Sequence, residues 1–319
     1  MSAIFHLSFL VGLLAATIRT ATPILLAANG EILVERAGVL NLGVEASMLI
    51  GAFAGFAASF YTGSSALGIL VAIAAGVLVS LVMAFFSVTL LANQIVTGTV
   101  LDIFAIGATS FGFDVIAGVA TASPQIAVLP DMPLPLLHRL PVIGPVLFDQ
   151  NLFAYIAILT AVVVGVVLYK TPWGLSVRAC GEDHRAAAAS GVDVVKTRYQ
   201  VLLIGGALAG LAGASLTIGE LGLFTQNISS GRGFIAIAAV VFGRWNPYLT
   251  IVAAVFFGFA DALQLRLQTF GLGIPHQFLL MLPYALTIVA LMLSVGRRLD
   301  VGTPAGPREL TVPYEREGA

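Results

Sequence analysis

Apolar stretches about as long as a bilayer is thick recur along the chain, and no other feature limits its fold so severely. A hydrocarbon core takes about 20 apolar residues per helix. Six stretches qualify readily, at 5–28, 38–61, 66–92, 151–169, 200–219 and 249–268, and 277–296 is a seventh. The stretch 94–118 is apolar but carries Asp102 and Asp114, and 234–243 is only about half a span. The expected fold is therefore all-α. It is a polytopic transmembrane helix bundle of about 8–10 helices, some broken or re-entrant, forming a single domain over 1–319.

Composition excludes the soluble alternative. The chain is 59% hydrophobic and 10% charged, whereas a soluble domain carries about 25% charged residues. A protein of this length has no core large enough to hide so much apolar surface, so the excess faces membrane lipid. The net charge of −1 makes no case for nucleic acid. The lone Cys180 excludes an intrachain disulfide and argues against a thiolate metal cluster. The N-terminal MSAIFHLSFL has no basic region and no obvious cleavage site, so it reads as the start of the first helix.

Lys and Arg in short loops set orientation. The loop 170–199 holds Lys170, Arg178, Arg185, Lys196 and Arg198, and the tail 297–319 opens with Arg297 and Arg298. Both should be cytoplasmic, which requires an even number of crossings between them and works if 234–243 crosses. The Pro-rich segment 119–150 then lies outside, with four segments before it and the N-terminus outside too. Gly51/Gly55 and Gly206/Gly210/Gly213 fall at helical spacing and predict close helix packing.

Some segments break the rules for a lipid-facing helix. The run from Glu31 to Glu45 places Glu35, Arg36, Asn41 and Glu45 between two apolar spans. Charges there persist when paired or lining a watery cavity. Gly38 and Gly43 permit a backbone break, which survives at depth only against protein or a cavity. An ordinary solvated loop with a Glu35–Arg36 surface pair is the alternative. The next run opens with Asn93, a further path candidate. It puts polar groups at Gln94, Thr97/Gly98 and Asp102 close to one helix face that could line a path. The alternative is that Asp102 caps or bonds neighbouring helices without touching solute. Asp261 and Arg266, five apart, are poorly spaced for a pair. A structural role suits them, with Arg266 reaching the outer surface.

The loop 171–199 is the most informative. Gly181 precedes Glu182 and Asp183, acidic residues suited to a helix start. Arg185-Ala-Ala-Ala-Ala-Ser190 has strong helix propensity, and Gly191 is a natural stop. A helix of two turns exposing small side chains is marginal alone. Docking into a groove on a soluble partner explains it better than resting on lipid, for which it has no Leu, Phe or Trp anchor.

The stretches GEILVERAGVLNLGVEASMLIGA, GLSVRACGEDHRAAAASGV and GRGFIAIAAVVFGRWNP together resemble permease subunits of bacterial ABC importers for branched-chain amino acids, simple sugars and nucleosides. The wording ERAGVLNLGVE is closest to the nucleoside branch. The resemblance runs from about residue 20 to 296, and Ala46 stands where the family often has Gly. It implies that Arg178, Gly181, Glu182, Ala187 and Gly191, with Arg185 beside them, seat on an ABC ATPase subunit. It also implies that Asn41, Gly43 and Glu45 lie near the translocation path. Further partners implied are a second permease subunit and an extracytoplasmic substrate-binding lipoprotein, in a bacterial cytoplasmic (inner) membrane.

No GxxxxGK[ST] occurs in the chain, so no cofactor is expected on it and ATP belongs to another subunit. The expected function is ATP-driven import of a small polar solute, a nucleoside ahead of a simple sugar or branched-chain amino acid. An ion-coupled secondary transporter is the main rival, with Asp102 and Glu45 as its candidate sites. A membrane-embedded enzyme has little support, since His6, His138, His184 and His276 are scattered without a catalytic motif.

Overall fold

The computed structural model describes residues 7–118, 124–133, 142–269, 281 and 306–315. Helix α1 (Leu7–Arg36) ends where Gly38 turns the chain at φ +84°, a left-handed value that glycine adopts without strain. A non-helical stretch leads to Gly43, and α2 (Val44–Thr62) starts beyond it. Helix α3 (Ser65–Ala84) closes in a π-helical turn over Phe85–Thr89. Asn93 caps α4 (Gln94–Ala117) by accepting from the Ile95 and Val96 amides.

The described part of the Pro-rich segment holds the short α5 (Ile143–Leu147) and a two-residue antiparallel pairing of Met132–Pro133 with Asp149–Gln150. Then come α6 (Leu152–Lys170), α7 (Pro172–Glu182), α8 (His184–Ala189) and α9 (Val194–Leu216). A π-helical turn over Thr217–Leu221, α10 (Arg232–Phe242) and α11 (Pro247–Thr269) follow. Among the described residues seven helices are long and apolar enough to cross a membrane. The all-α bundle is thus as expected. Apart from Met281, the predicted span 277–296 lies outside the described residues, as do Arg297, Arg298, His6, His138 and His276.

Helix α9 is the axis around which α1, α2 and α3 pack, and glycine sets how closely. A Cβ on Gly76 would lie 2.2 Å from the Gly206 carbonyl oxygen, and one on Gly51 would lie 2.6 Å from the Gly210 Cα. Backbones this close exclude any side chain, which is the packing expected of small residues where water supplies no driving force.

The bundle has two distinct ends. One gathers Arg36, α7, Trp245 and residues 306–315, since Arg36 donates to the Trp245 carbonyl and Glu309 N–H to that of Gly181. The other gathers the first half of α1 with residues 124–131. Arg19 pairs with Asp131 at 2.9 Å, and Leu129 N–H donates to Ile218. Arg266 also lies there, over the Phe9 ring at 5.5 Å.

The apolar segment 234–243 is about half a span in the structure, as it is in the sequence. Helix α10 has 11 residues, about 16 Å of helix at 1.5 Å per residue, and cannot cross alone. Residues 222–231 enter from the Arg19 end, with Phe224 and Ile228 buried, and α10 continues to Trp245 at the Arg36 end. Residues 222–231 and α10 together run between these two ends of the bundle.

Candidate functional site

The two interrupted passes meet at Glu45. Its carboxylate, 2% exposed, accepts the Gly231 amide at 2.8 Å and the Gly233 amide at 2.6 Å. These N–H groups have no partner inside α10, and the helix dipole makes that end positive, so a buried carboxylate there is balanced without a basic side chain. Gly233 has to be glycine, because a Cβ would fall 2.7 Å from the Glu45 Cα. Arg232, next along, pairs with Asp261 at 3.2 Å. Asp261 is therefore spent on α10 rather than on Arg266.

The other path candidates divide into two groups. Asn41 is fully buried and donates from Nδ2 to Glu31 Oε1 at 2.8 Å. Gln94 is buried and its Oε1 accepts the Leu40 amide at 2.8 Å, holding the broken segment onto α4. Gly98 lets α4 close on Leu42, and Asp102, half-buried with one unpartnered oxygen, lies within electrostatic range of Glu45. Asn93 and Thr97 are instead used within α4. Asn93 is exposed and caps the helix, and the Thr97 hydroxyl donates to the Asn93 carbonyl at 2.9 Å. Gln94, Gly98 and Asp102 thus share the face of α4 turned toward the broken segment and Glu45.

The Glu35–Arg36 surface pair is not what forms. Glu35 is buried and accepts from Trp245 Nε1, and Arg36 binds the carbonyl of the same residue at 3.0 and 3.1 Å. Trp245 is a residue the spacing of charges did not reveal; its only sequence sign is the GRWNP turn.

The loop 170–199 folds differently from its sequence reading. Glu182 closes α7 rather than opening the next helix, and Asp183 is the cap of α8, its Oδ1 accepting the Ala186 amide at 2.8 Å. Proline at the first position of α7 explains this, since its fixed φ starts a helix where a span was expected only to end. Helix α8 has six residues, and Gly191 follows it at φ +88°. Glu182, Asp183, Arg185, Ala186, Ala189 and Gly191 are exposed, and Arg178 is half-buried over the Tyr169 ring at 5.5 Å. Ala187 and Gly181 are not exposed. Ala187 packs inward with Cys180 and Val194, and a Cβ on Gly181 would strike the Arg36 carbonyl oxygen at 2.3 Å. Burial pushes the Cys180 thiol above its ordinary pKa, against an opposing pull from Arg198.

Arg198 belongs to the basic loop by sequence, yet it is 1% exposed. It donates to the Ala37 carbonyl at 3.2 Å and the Val312 carbonyl at 3.1 Å. At the opposite end, a cavity of about 450 Å³ lies between Arg19, Thr20, Leu129, Asp131, Asn151 and Glu220. Among the described residues no cluster of three His, Cys, Asp or Glu side chains could hold a metal ion.

The family model described as the permease component of branched-chain amino acid transport systems matches residues 13–291. The chain is 39% identical over 333 residues to a candidate glucose ABC transporter permease of Haloferax volcanii, covering 98% of this chain and 99% of that protein. It is 37% identical to a guanosine ABC transporter permease of Bacillus subtilis, covering 94% of this chain and 95% of that one. A solved inward-facing structure of a candidate metal-chelate type ABC transporter shares the fold, with a TM-score of 0.53 at 16% identity over 88% of this chain and 85% of that one. The chain belongs to the permease-component family of branched-chain amino acid transport systems, and it is a membrane-spanning ABC transporter permease subunit, a transport component rather than an enzyme, that works with an ABC ATPase.

Proposed function

We propose that this subunit carries a nucleoside inward across the cytoplasmic membrane by alternating access, with α7 and α8 facing the cytoplasm and seated on the ATPase. The observation that carries the reading is the buried Glu45 carboxylate on the N-terminus of α10, where two interrupted passes meet. Broken helices inside a bundle form solute paths in transporters because their freed backbone groups need protein or a cavity around them. Glu45 is balanced by backbone amides, and the broken segment and the start of α4 add the neutral polar groups Asn41 and Gln94, with Asp102 as the carboxylate nearest Glu45. Such neutral groups suit an uncharged hydrogen-bonding solute. The similarity to a guanosine permease supports a nucleoside.

The exposed Glu182, Arg185 and Ala189 supply the surface for the ATPase. A second permease subunit would cover α4, whose apolar window is only 11% buried although the helix carries Asp102 and Asp114. An extracytoplasmic lipoprotein would deliver solute at the Arg19 end.

The test is uptake into proteoliposomes holding the permease, its ATPase, the second permease and the lipoprotein. Labelled guanosine should accumulate only with ATP, and excess unlabelled glucose should not compete. The similarity to a candidate glucose permease favours a sugar as the second reading, and glucose uptake that guanosine fails to inhibit would establish it. Uptake without ATP that collapses with an ion gradient would overturn both.

A further inference from the structure

We propose that residues 306–315 are a brace that positions α8 for the ATPase, with Glu309 as the positioning residue; this rests on the reading of α7 and α8 as the coupling loop. A helix of six residues has almost no stability of its own. Its direction is set by whatever holds its ends. Glu309 Oε2 accepts the His184 amide at 2.7 Å and lies against His184 Nδ1, so one carboxylate holds the backbone at the first residue of α8 and adjoins its ring. The Tyr314 ring meets the His184 ring edge-on at 5.2 Å and packs against the Cys180, Ala187 and Val194 cluster beneath the helix.

The brace is anchored at points that do not belong to the loop. Thr311 N–H donates to the Gly38 carbonyl at 3.1 Å, Arg198 holds the Val312 carbonyl, and Gly306 lies against the Trp245 ring. Gly38 is where α1 breaks, Arg198 is at the foot of α9, and Trp245 joins α10 to α11. Glu309 therefore links α8 to the segment whose far end carries Asn41 and Glu45. A displacement of α8 is passed to that segment through the brace as well as along α7. Glu182, Arg185 and Ala189 stay exposed, so the brace leaves the outer face of the loop free.

The experiment uses the whole transporter in lipid nanodiscs or proteoliposomes. Glu309→Ala and Glu309→Gln are compared with the parent for solute moved per ATP hydrolysed. A photoreactive benzoylphenylalanine at Ala189 reports contact with the ATPase, and maleimide labelling of Cys180 reports release of the brace. Glu309→Ala should reach the membrane and keep hydrolysing ATP while solute moved per ATP falls about five-fold, with faster Cys180 labelling. Glu309→Gln keeps an acceptor for the His184 amide and should recover at least half of the ratio.

A parental ratio in Glu309→Ala would overturn the proposal. So would its failure to accumulate in the membrane, which would make the segment a folding element, and so would a Gln variant no better than Ala. Absence of the Ala189 cross-link in the parent would instead remove the coupling-loop reading itself, and the brace with it.

Discussion

Glu45 Oε2 and the Gly233 amide nitrogen meet at 2.6 Å, although 188 residues separate them in sequence. The contact joins a helix that starts inside the bundle to another that also starts there, so each interrupted pass satisfies the other. Hydrogen bonds to a charged group contribute about 1.5–3 kcal/mol each. Glu45→Ala leaves the Gly231 and Gly233 amides buried without an acceptor. Thermal unfolding in detergent should show a loss of about 2–3 kcal/mol, with uptake abolished. Glu45→Gln keeps one acceptor oxygen and should fall between Ala and the parent.

Asn41 and Glu31 form a second buried pair, at 2.8 Å. In a double-mutant cycle with Asn41→Ala and Glu31→Ala, each of which deletes the hydrogen bond, the two changes should not add. The coupling should be about 1–2 kcal/mol, since residues sharing one hydrogen bond interact on that scale. Additive losses would mean that the two side chains stabilise the bundle independently.

Gly76 and Gly107 provide a contrast between glycines. The first meets the Gly206 carbonyl oxygen, whereas nothing lies within 4 Å of a Cβ on the second. Gly76→Ala forces α3 and α9 apart and should cost about 1–3 kcal/mol, as overpacking does. Gly107→Ala should be neutral or gain up to about 1 kcal/mol from helix propensity. Unfolding temperatures of the two purified variants decide it.

Glu182 is exposed at the end of α7 and its side chain makes no hydrogen bond or ion pair among the described residues. Glu182→Lys should therefore insert and unfold like the parent. Uptake and solute-stimulated ATPase activity should nevertheless fall, and normal values for both would take Glu182 out of the coupling surface.

Cys180 gives a pH-dependent readout. Burial raises its pKa in the folded protein, so the folded state holds the thiol proton more tightly than the unfolded chain does. The stability this contributes is complete below the unfolded thiol value of about 8.5 and is lost as pH rises through the higher folded value. Maleimide should label the native protein slowly at neutral pH and the denatured chain fast. Equal rates in the two states would contradict the burial.

The sequence by itself determined the fold class, the positions of most spans, the break near Gly38 and Gly43, the small-residue contacts and the stop at Gly191. Each of these follows from local composition or from a backbone preference that acts within a few residues. Membership of the permease family was legible too, in the ERAGVLNLGVE, ACGEDHRAAAASGV and GRWNP wording. Tertiary structure alone decided what the polar residues do. Glu45, Glu35 and Arg198 all read as charges near a membrane, and their partners are the Gly233 amide, the Trp245 indole and the Val312 carbonyl. Spacing cannot reveal such pairs, because a buried charge is satisfied by whatever donor or acceptor the packing brings to it. Backbone amides and carbonyls carry no mark in the sequence. Helix α8 runs over His184–Ala189, one residue ahead of the Arg185–Ser190 run that helix propensity marks. Proline set the start of α7, Asp183 took the cap, and Ala187 turned inward onto Cys180.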